Sequence, residues 1–404
     1  MRILLVNAVC GVTSTGRICT DLAKYLEENG HEVKIAYGRN DKGHIDACKK
    51  YGVRIGTNMD VKLHGMQTRF LDQHGFGSRR ATEQFLKWVD SYAPDIIHLH
   101  NLHGYYIHIE LLFRYIKEKN IPVVWTLHDC WAMTGHCTYF SACGCEKWKT
   151  QCENCPQKHE YPQSKVLDAS KKNYKRKKNA FTGVKNLCIA TPSAWLKSLV
   201  EQSFLQEYEV QVVHNGIDTA IFKPTESDLR EQYGLVGQRI ALGVSNGWDS
   251  RKGLEYLKRM AGDLPQGWRV VAVGLSEEQM KELPDRMVGI RRTSSAQELA
   301  AWYTTADVFV NPTLEDNYPT TTLEAQACGT PAVIFASGGA PETVIPGKGY
   351  VIERLNDEEL LQKTILGADL KKSLGRAEIK DKRKLGGEYE AIYRELLGRR
   401  GQVQ

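Results

Sequence analysis

The chain has 404 residues, of which 42% are hydrophobic and 25% are charged, and its formal net charge is +6 at pH 7. These values are ordinary for a folded protein of two or three domains, and they exclude a mainly disordered chain and a disulfide-rich miniprotein. The positive charge is weaker than that of a typical nucleic-acid-binding protein. No apolar run reaches the roughly 18–20 residues that a membrane-spanning helix needs.

The first elements are predicted to be a strand, a loop and a helix. Residues 2–7 form a short apolar run that lacks a signal-peptide cleavage site, so we predict a buried strand and a protein that stays in the cytosol. A loop with Gly11 and Gly16 follows, and residues 18–28 have helical apolar spacing. The loop lacks the complete motifs of ATP-binding and dinucleotide-binding proteins, so a phosphate contact at Gly16 and a plain turn remain alternatives.

Further strands and helices alternate along the chain. Strands are predicted at residues 32–37, 94–100, 121–127, 187–191, 210–214, 239–245, 268–273, 287–292, 307–311 and 331–335. Helices are predicted at residues 110–119, 254–260, 296–303, 321–327 and 381–397. This alternation indicates an α/β protein with parallel sheets.

The predicted elements divide into two Rossmann-like domains, at residues 1–200 and 201–380, and a closing helix at 381–404. We expect a ligand site in a cleft between the carboxyl ends of their strands. His128 and Asp129 end one such strand, where His128 is a candidate for contacting a sugar hydroxyl, with a structural histidine as the alternative. His98 is interpreted as structural.

The densest group of polar residues follows the strand that ends at Asn311. A helix is predicted to start near Thr320, and the unpaired N–H groups and positive dipole of a helix start suit a diphosphate. Glu324 is placed in the first helical turn, where its carboxylate would accept hydrogen bonds from ribose, and Asp316 lies in the preceding loop. An ordinary helix cap with nearby acidic residues is the alternative.

This stretch resembles the signature of the family 4 glycosyltransferases, which are retaining enzymes of the GT-B fold. Their pattern is Glu, seven residues, Glu, then Ala-x-Ala-x-Gly-x-Pro, and residues 323–331 match it closely. Thr191-Pro-Ser, Asn215-Gly-Ile-Asp and Lys252-Gly occur in the family's order. The chain departs from the family at Asp316, which replaces the first glutamate, and at Arg251, which directly precedes the lysine.

The resemblance implies a role for each matching residue. The implied catalytic residues are His128, Asp316, Lys252 and Arg251. The implied donor-binding residues are Gly16, Asn317, Tyr318, Thr320, Thr321, Thr322, Leu323 and Glu324. Positive groups and the helix start would stabilise the departing diphosphate, so no catalytic metal is expected. His128 would hydrogen-bond the transferred sugar from the other domain.

Six of the eleven cysteines lie between Cys130 and Cys155. Because disulfides are rare in a reducing cytosol, we interpret this insertion, at about residues 130–165, as a structural zinc site. The predicted ligands are Cys137, Cys143, Cys152 and Cys155, with Cys145 in reserve. The scattered cysteines, Cys10, Cys19, Cys48, Cys188 and Cys328, are interpreted as small buried hydrophobes.

A basic run follows the insertion and comprises Lys171, Lys172, Lys175, Arg176, Lys177 and Lys178. It is predicted to face the inner surface of the cell membrane or a phosphorylated acceptor, with a solvated helix face as the alternative. The expected function is transfer of a sugar from UDP-sugar, or secondarily GDP-sugar, to a glycan or polyprenyl-diphosphate-linked acceptor in capsular or other cell-surface polysaccharide synthesis. A sugar-nucleotide epimerase and a zinc-stapled nucleic-acid-binding protein are the alternatives, although no nucleic-acid partner is expected.

Overall fold

The computed structural model describes residues 1–39, 46–367 and 379–401, and the chain forms two compact units. The first unit comprises Met1–His214 and Arg383–Gln404, and the second comprises Asn215–Lys382. The division falls after His214 rather than after residue 200, because the strand at Glu209–Val212 pairs with the sheet of the first unit. Each unit contains one parallel sheet with helices, which confirms the predicted α/β class.

The first unit is built on a seven-stranded parallel sheet. Its strands are β1 (Arg2–Val9), β2 (Glu32–Arg39), β3 (Gly52–Arg54), β4 (Ile96–Leu99), β5 (Val123–Thr126), β6 (Leu187–Thr191) and β7 (Glu209–Val212). They are ordered β3-β2-β1-β4-β5-β6-β7. In β1 every residue after Arg2 is buried, as expected for a parallel strand covered on both faces.

Seven helices connect these strands within the described part of the chain. They are α1 (Thr13–Glu28), α2 (Asp46–Tyr51), α3 (Asn58–Leu71), α4 (Arg79–Tyr92), α5 (Ile109–Lys119), α6 (Ser170–Phe181) and α7 (Ala194–Val200). Between β5 and α6 the chain has only two short 3₁₀ turns, at Trp131–Met133 and Lys147–Lys149. The cysteine-rich insertion therefore depends on side-chain packing rather than on regular backbone structure.

The second unit has a six-stranded parallel sheet of order β10-β9-β8-β11-β12-β13. Its strands are β8 (Arg239–Val244), β9 (Trp268–Val273), β10 (Met287–Ile290), β11 (Val308–Asn311), β12 (Ala332–Phe335) and β13 (Gly349–Ile352). Its helices are α8 (Leu229–Gln232), α9 (Leu254–Asp263), α10 (Glu277–Met280), α11 (Ala296–Thr305), α12 (Thr320–Ala327) and α13 (Glu358–Gly367). The neighbouring strands β8 and β11 bring their following loops together at one edge of the sheet.

The last helix, α14 (Lys382–Gly401), packs back onto the first unit. Its apolar face, which includes Leu385, Ile392 and Leu396, shares a core with Ile3 and Leu5 of β1. The predicted closing helix is thus present, but it completes the core of the amino-terminal domain.

Candidate functional site

The loop after β8 is shaped by Asp249 and Gly253. The Asp249 carboxylate accepts a hydrogen bond from the backbone N–H of Lys252 at 3.0 Å and caps the 3₁₀ turn Ser250–Lys252. Gly253 has a φ of 79°, and a Cβ there would lie 2.3 Å from the carbonyl oxygen of Pro312. Only glycine permits this close approach of the two loops.

Backbone and side-chain bonds then fix Arg251 against the loop after β11. Its carbonyl oxygen accepts from the N–H of Leu314 at 2.8 Å, and its guanidinium donates to the carbonyl oxygen of Glu315 at 2.7 Å. The arginine that departs from the family pattern therefore lies next to the acidic loop.

Lys252 and Asp316 form an ion pair with Nζ and Oδ2 2.5 Å apart. The two side chains are 25% and 15% exposed. Burial opposes ionisation of Asp316, but the charge and hydrogen bond of Lys252 outweigh it and hold the pKa of this carboxyl below its ordinary value. The structure thus brings Arg251, Lys252 and Asp316 into one charged group within the second unit.

The amino terminus of α12 follows directly. The helix starts at Thr320 after Pro319, no side chain caps it, and its first turn carries no acidic residue. Thr322 and Leu323 are buried, so only their backbone groups are suited to a ligand. Asn317 is also buried, and Tyr318 packs against the core of this unit.

Helix α12 begins at Thr320, as predicted, and Glu324 is therefore its fifth residue, just past the first turn in which it was placed. Its carboxylate accepts a hydrogen bond from the hydroxyl of Tyr303 at 2.9 Å, and Tyr303 is fully buried on α11. Sequence reasoning missed Tyr303. A tyrosine on an otherwise apolar helix face was the available signal, since a buried hydroxyl needs a partner.

Gly16 lies within α1 rather than in the loop that precedes it. The helix begins at Thr13, and the carbonyl oxygen of Gly16 accepts from the N–H of Gly11 at 3.1 Å. A Cβ at Gly16 would stand 3.1 Å from Val9 Cγ2 and from the nitrogen of Gly11. Close packing of α1 on the end of β1 is therefore enough to explain this glycine.

His128 pairs with His100: Nε2 of His128 lies 3.0 Å from Nδ1 of His100. Burial lowers the pKa of His128 to about 4, so at neutral pH it is an uncharged hydrogen-bonding group. The Asp129 carboxylate contacts Nε2 of His103 at 2.7 Å, and Nδ1 of His103 lies 3.2 Å from the hydroxyl of Tyr161.

His98 has the structural environment expected of it. Its ring nitrogens contact the hydroxyls of Tyr393 and Thr126 at 2.6 and 2.7 Å, and the side chain is fully buried. Burial lowers the pKa of His98 well below its ordinary value, so the ring is neutral and links α14 to the sheet.

The cysteines of the insertion separate into two groups. Cys137, Cys145, Cys152 and Cys155 line one small cavity. Cys143, a predicted zinc ligand, is exposed and its thiol donates to the carbonyl oxygen of Phe140 at 3.2 Å, so Cys145 takes its place at the cavity. Within residues 1–39, 46–367 and 379–401, no three His, Cys, Asp or Glu side chains already stand as a metal-coordinating group.

Two of the scattered cysteines are bonded to each other. Cys10 at the end of β1 and Cys48 on α2 form a disulfide, with Cα atoms 5.8 Å apart. The interpretation of both as isolated hydrophobes was therefore wrong. It failed because Cys48 lies 38 positions further along the chain, so its proximity to Cys10 depends on the tertiary structure.

The basic run on α6 is not a uniform charged surface. Lys177 is buried, its Nζ donates to the carbonyl oxygen of Trp131 at 2.7 Å, and burial lowers its pKa to about 7. The guanidinium of Arg176 binds Glu110, with N–O distances of 2.6 and 2.7 Å. The prediction that all six cations face a partner was wrong, because helical periodicity turns part of the run toward the core.

Two family models match the chain. The model described as Glycosyltransferase Family 4 matches residues 15–221, and the one described as Glycosyl transferases group 1 matches residues 238–366. The chain is 26% identical over 383 residues to the putative colanic acid biosynthesis glycosyl transferase WcaC of Escherichia coli K12, covering 90% of this chain and 89% of the relative. It is 31% identical over 151 residues to a D-inositol 3-phosphate glycosyltransferase of Mycolicibacterium smegmatis, covering 34% and 35% of the two chains.

Solved structures share the fold over the whole chain. Sucrose-phosphate synthase from Thermosynechococcus elongatus has a TM-score of 0.70 at 19% identity and covers 100% of this chain and 98% of its own. Anabaena Alr3699/HepE in complex with UDP has a TM-score of 0.66 at 14% identity and covers 98% and 100%. These similarities confirm the predicted fold of two Rossmann-like domains. Among the described residues, none of the helices has the length and apolar content to cross a membrane.

Proposed function

Since the chain belongs to Glycosyltransferase Family 4, we propose that it is a retaining glycosyltransferase of cell-surface polysaccharide biosynthesis. The donor is a nucleotide sugar, UDP-sugar in preference to GDP-sugar, and the acceptor is a glycan or a polyprenyl-diphosphate-linked sugar. The name of the Escherichia coli relative supports the polysaccharide assignment. The complexes of Alr3699/HepE with UDP and UDP-glucose support a uridine nucleotide.

The observation that carries the proposal is the joining of Arg251 and Lys252 to the loop that enters α12. Negative charge grows on the departing diphosphate as the sugar acquires oxocarbenium character. Two cationic side chains and an uncapped helix start, with no carboxylate in its first turn, supply the opposite charge there. This arrangement needs no metal ion to neutralise the leaving group.

The nucleoside is held by the carboxylate of Glu324, which accepts hydrogen bonds from the ribose hydroxyls. Tyr303 donates to one oxygen of this carboxylate and so orients it. Carboxylate oxygens accept hydrogen bonds from hydroxyl groups, which is the role proposed for Glu324 toward ribose.

The proton of the acceptor hydroxyl passes to the leaving phosphate oxygen, on the face from which the acceptor attacks. No side chain then acts as a general base. Because His128 is neutral at pH 7, hydrogen bonding is the only role that it can have toward a sugar. Asp316, ionised beside Lys252, is proposed to accept from a hydroxyl of the donor sugar.

The test is nucleotide release from a panel of UDP- and GDP-sugars, with and without a lipid-diphosphate-linked acceptor. Lys252→Ala is expected to abolish most turnover. Lys258→Ala removes a lysine of the same unit that pairs with Glu255 at 3.0 Å and serves as the matched control. An epimerised sugar nucleotide formed without acceptor would identify an epimerase instead and contradict the proposal.

The protein is further assigned a peripheral contact with the inner face of the cell membrane. Lys172, Lys175 and Lys178 of the basic run are exposed. A second surface supports the assignment. Helix α3 exposes an apolar stripe at helical spacing, formed by Met59, Leu63, Met66 and Phe70, while its His64 and Thr68 face the protein interior.

This stripe has the composition of a lipid-binding face. Lys62 and Arg69 are exposed on α3, and the backbone N–H groups of Lys165 and Leu167 pair with the carbonyl oxygens of Arg69 and Phe70. The exposed side chains of Val166 and Leu167 thus extend the apolar surface beyond α3. Apolar side chains flanked by cations suit anionic headgroups.

Sedimentation with phosphatidylcholine vesicles, with and without phosphatidylglycerol, tests this contact. Leu63→Asp with Met66→Asp is expected to abolish binding to anionic vesicles. Val236→Asp, at an apolar position of the second unit that is 63% exposed, is the matched control. Binding that survives the double substitution would contradict the role of the stripe.

A further inference from the structure

The four thiols at the cavity of the insertion come from distant points of the segment between β5 and α6. Cys137 and Cys152 are 6% and 8% exposed, and the thiols of Cys137 and Cys155 are hydrogen-bonded to each other. The thiol groups of Cys145 and Cys155 both act electrostatically on Cys152. Soft thiolates in groups of four are typical ligands of zinc.

Three buried hydrogen-bonding atoms line the same cavity and have no partner among the described residues. They are Nε2 of His136, Nε1 of Trp148 and Oγ of Ser170. An unsatisfied buried polar group costs about 1–3 kcal/mol, so three around one small cavity indicate an absent acceptor. Metal-bound thiolates accept such hydrogen bonds and are commonly surrounded by donors.

Two further charges frame the cavity. Nδ1 of His136 contacts the buried carboxylate of Asp72 at 2.5 Å, which fixes the ring. Lys177 is buried beneath Trp131, with its Nζ 3.5 Å from the ring centroid, and is electrostatically coupled to Cys137 and Cys152. Burial of a cation is costly unless a negative group lies nearby. The carboxylates of Asp72 and Asp129 already act on Lys177, and four thiolates around one Zn²⁺, with a net charge of −2, would add to them.

We propose that Cys137, Cys145, Cys152 and Cys155 bind one Zn²⁺ as thiolates in a closed, structural site. Binding forms four Zn–S bonds of about 2.3 Å and releases the four thiol protons to solvent. The thiols turn inward from their present packing, and the hydrogen bond between Cys137 and Cys155 is replaced by bonds to the metal. The metal cross-links described residues 137–155, where the only regular backbone structure is the 3₁₀ turn Lys147–Lys149.

The wild-type protein provides the first test, independent of any transferase activity. The full chain, purified under reducing conditions, is expected to contain one zinc per molecule by mass spectrometry of the metal. Replacement with Co²⁺ is expected to give the intense thiolate-to-cobalt charge-transfer and tetrahedral d–d bands of a four-sulfur site. A metal-free folded protein, intramolecular disulfides among these cysteines, or a cobalt spectrum without thiolate bands would overturn the proposal.

A matched pair of variants then tests the ligand set. Cys145→Ser is expected to weaken zinc binding at least tenfold in competition with a chelator. Cys143→Ser, two residues away and outside the cavity, is expected to keep wild-type affinity. Equal zinc retention by both variants would refute the assignment of Cys145. If Cys145→Ser does not fold, the cobalt spectrum of the wild-type chain decides the four-sulfur assignment.

Discussion

Lys252→Ala removes the cation that faces both Asp316 and the proposed diphosphate, so its effects on stability and on turnover have different origins. The Nζ–Oδ2 distance of 2.5 Å and side-chain exposures of 25% and 15% describe a partly buried pair. Loss of this pair should lower the stability by about 1–3 kcal/mol. This is more than the loss of an exposed ion pair costs and less than the loss of a fully buried one. Turnover should fall by about 10²–10³, the usual cost of removing one group that stabilises transition-state charge.

A double-variant cycle with Asp316→Asn separates the two effects. The stability cost of Lys252→Ala arises mainly from leaving a buried carboxylate without its counter-charge, so the second substitution should restore much of the melting temperature. It should not restore turnover, because the diphosphate still lacks its cation. Thermal melting and nucleotide release, measured on the wild type, both single variants and the double variant, complete the cycle.

The stability difference also has a defined pH dependence. The pKa of Asp316 is depressed in the folded chain, so the pair stabilises the fold above the ordinary aspartate pKa and loses this contribution as pH falls through the folded value. In Lys252→Ala the charge and hydrogen bond of Lys252 no longer lower the pKa of Asp316, so less of this stabilisation remains. The melting temperatures of wild type and variant should therefore converge in acid and diverge toward neutral pH.

Two outcomes would refute this reasoning. Near-normal turnover of Lys252→Ala would exclude Lys252 from the diphosphate site. Recovery of turnover together with stability in the double variant would mean that Lys252→Ala loses turnover because it leaves the Asp316 carboxylate unpaired, and not because the diphosphate lacks a cation.

Two further substitutions probe the same unit. Tyr303→Phe removes the hydroxyl that orients Glu324 and should weaken UDP binding by about tenfold, since a hydrogen bond to a charged group contributes about 1.5–3 kcal/mol and water replaces part of it; calorimetry showing unchanged affinity would contradict the ribose role. Gly253→Ala places a Cβ 2.3 Å from the carbonyl oxygen of Pro312 and should lower the melting temperature and turnover together. Its control, Gly262→Ala on α9, meets no atom within 4 Å and should be neutral or stabilising by about 0.5–1 kcal/mol, so a greater loss there would refute the steric account.

The sequence by itself determined the α/β class and most strands of both sheets. Apolar periodicity is set by residues a few positions apart, so β1, β8 and α12 were predictable from their own segments. The same apolar pattern places Lys252 and Asp316 in loops after strands, since a polar loop follows each apolar strand segment. It also contained the start of α3, where Thr57 and Asp60 form a reciprocal cap, although this signal was missed.

Only the tertiary structure decided which side chains meet. Asp129 contacts His103, which lies 26 residues earlier in the chain, because the loops after β4 and β5 converge at one sheet edge. Cys145 rather than Cys143 reaches the cavity for a similar reason, since the turn at residues 141–144 directs Cys143 to solvent.

The orientation of helices was equally beyond local pattern. Helix α3 buries His64 and exposes Met66, opposite to what hydrophobicity predicts, and α6 buries Lys177 within a run of exposed lysines. Burial depends on what lies across the interface: His64 contacts Ser78, 14 residues later in the chain, and Lys177 contacts Trp131, 46 residues earlier. A short stretch of sequence determines whether a segment has helical or strand periodicity. The elements that pack against the segment determine which of its faces is buried.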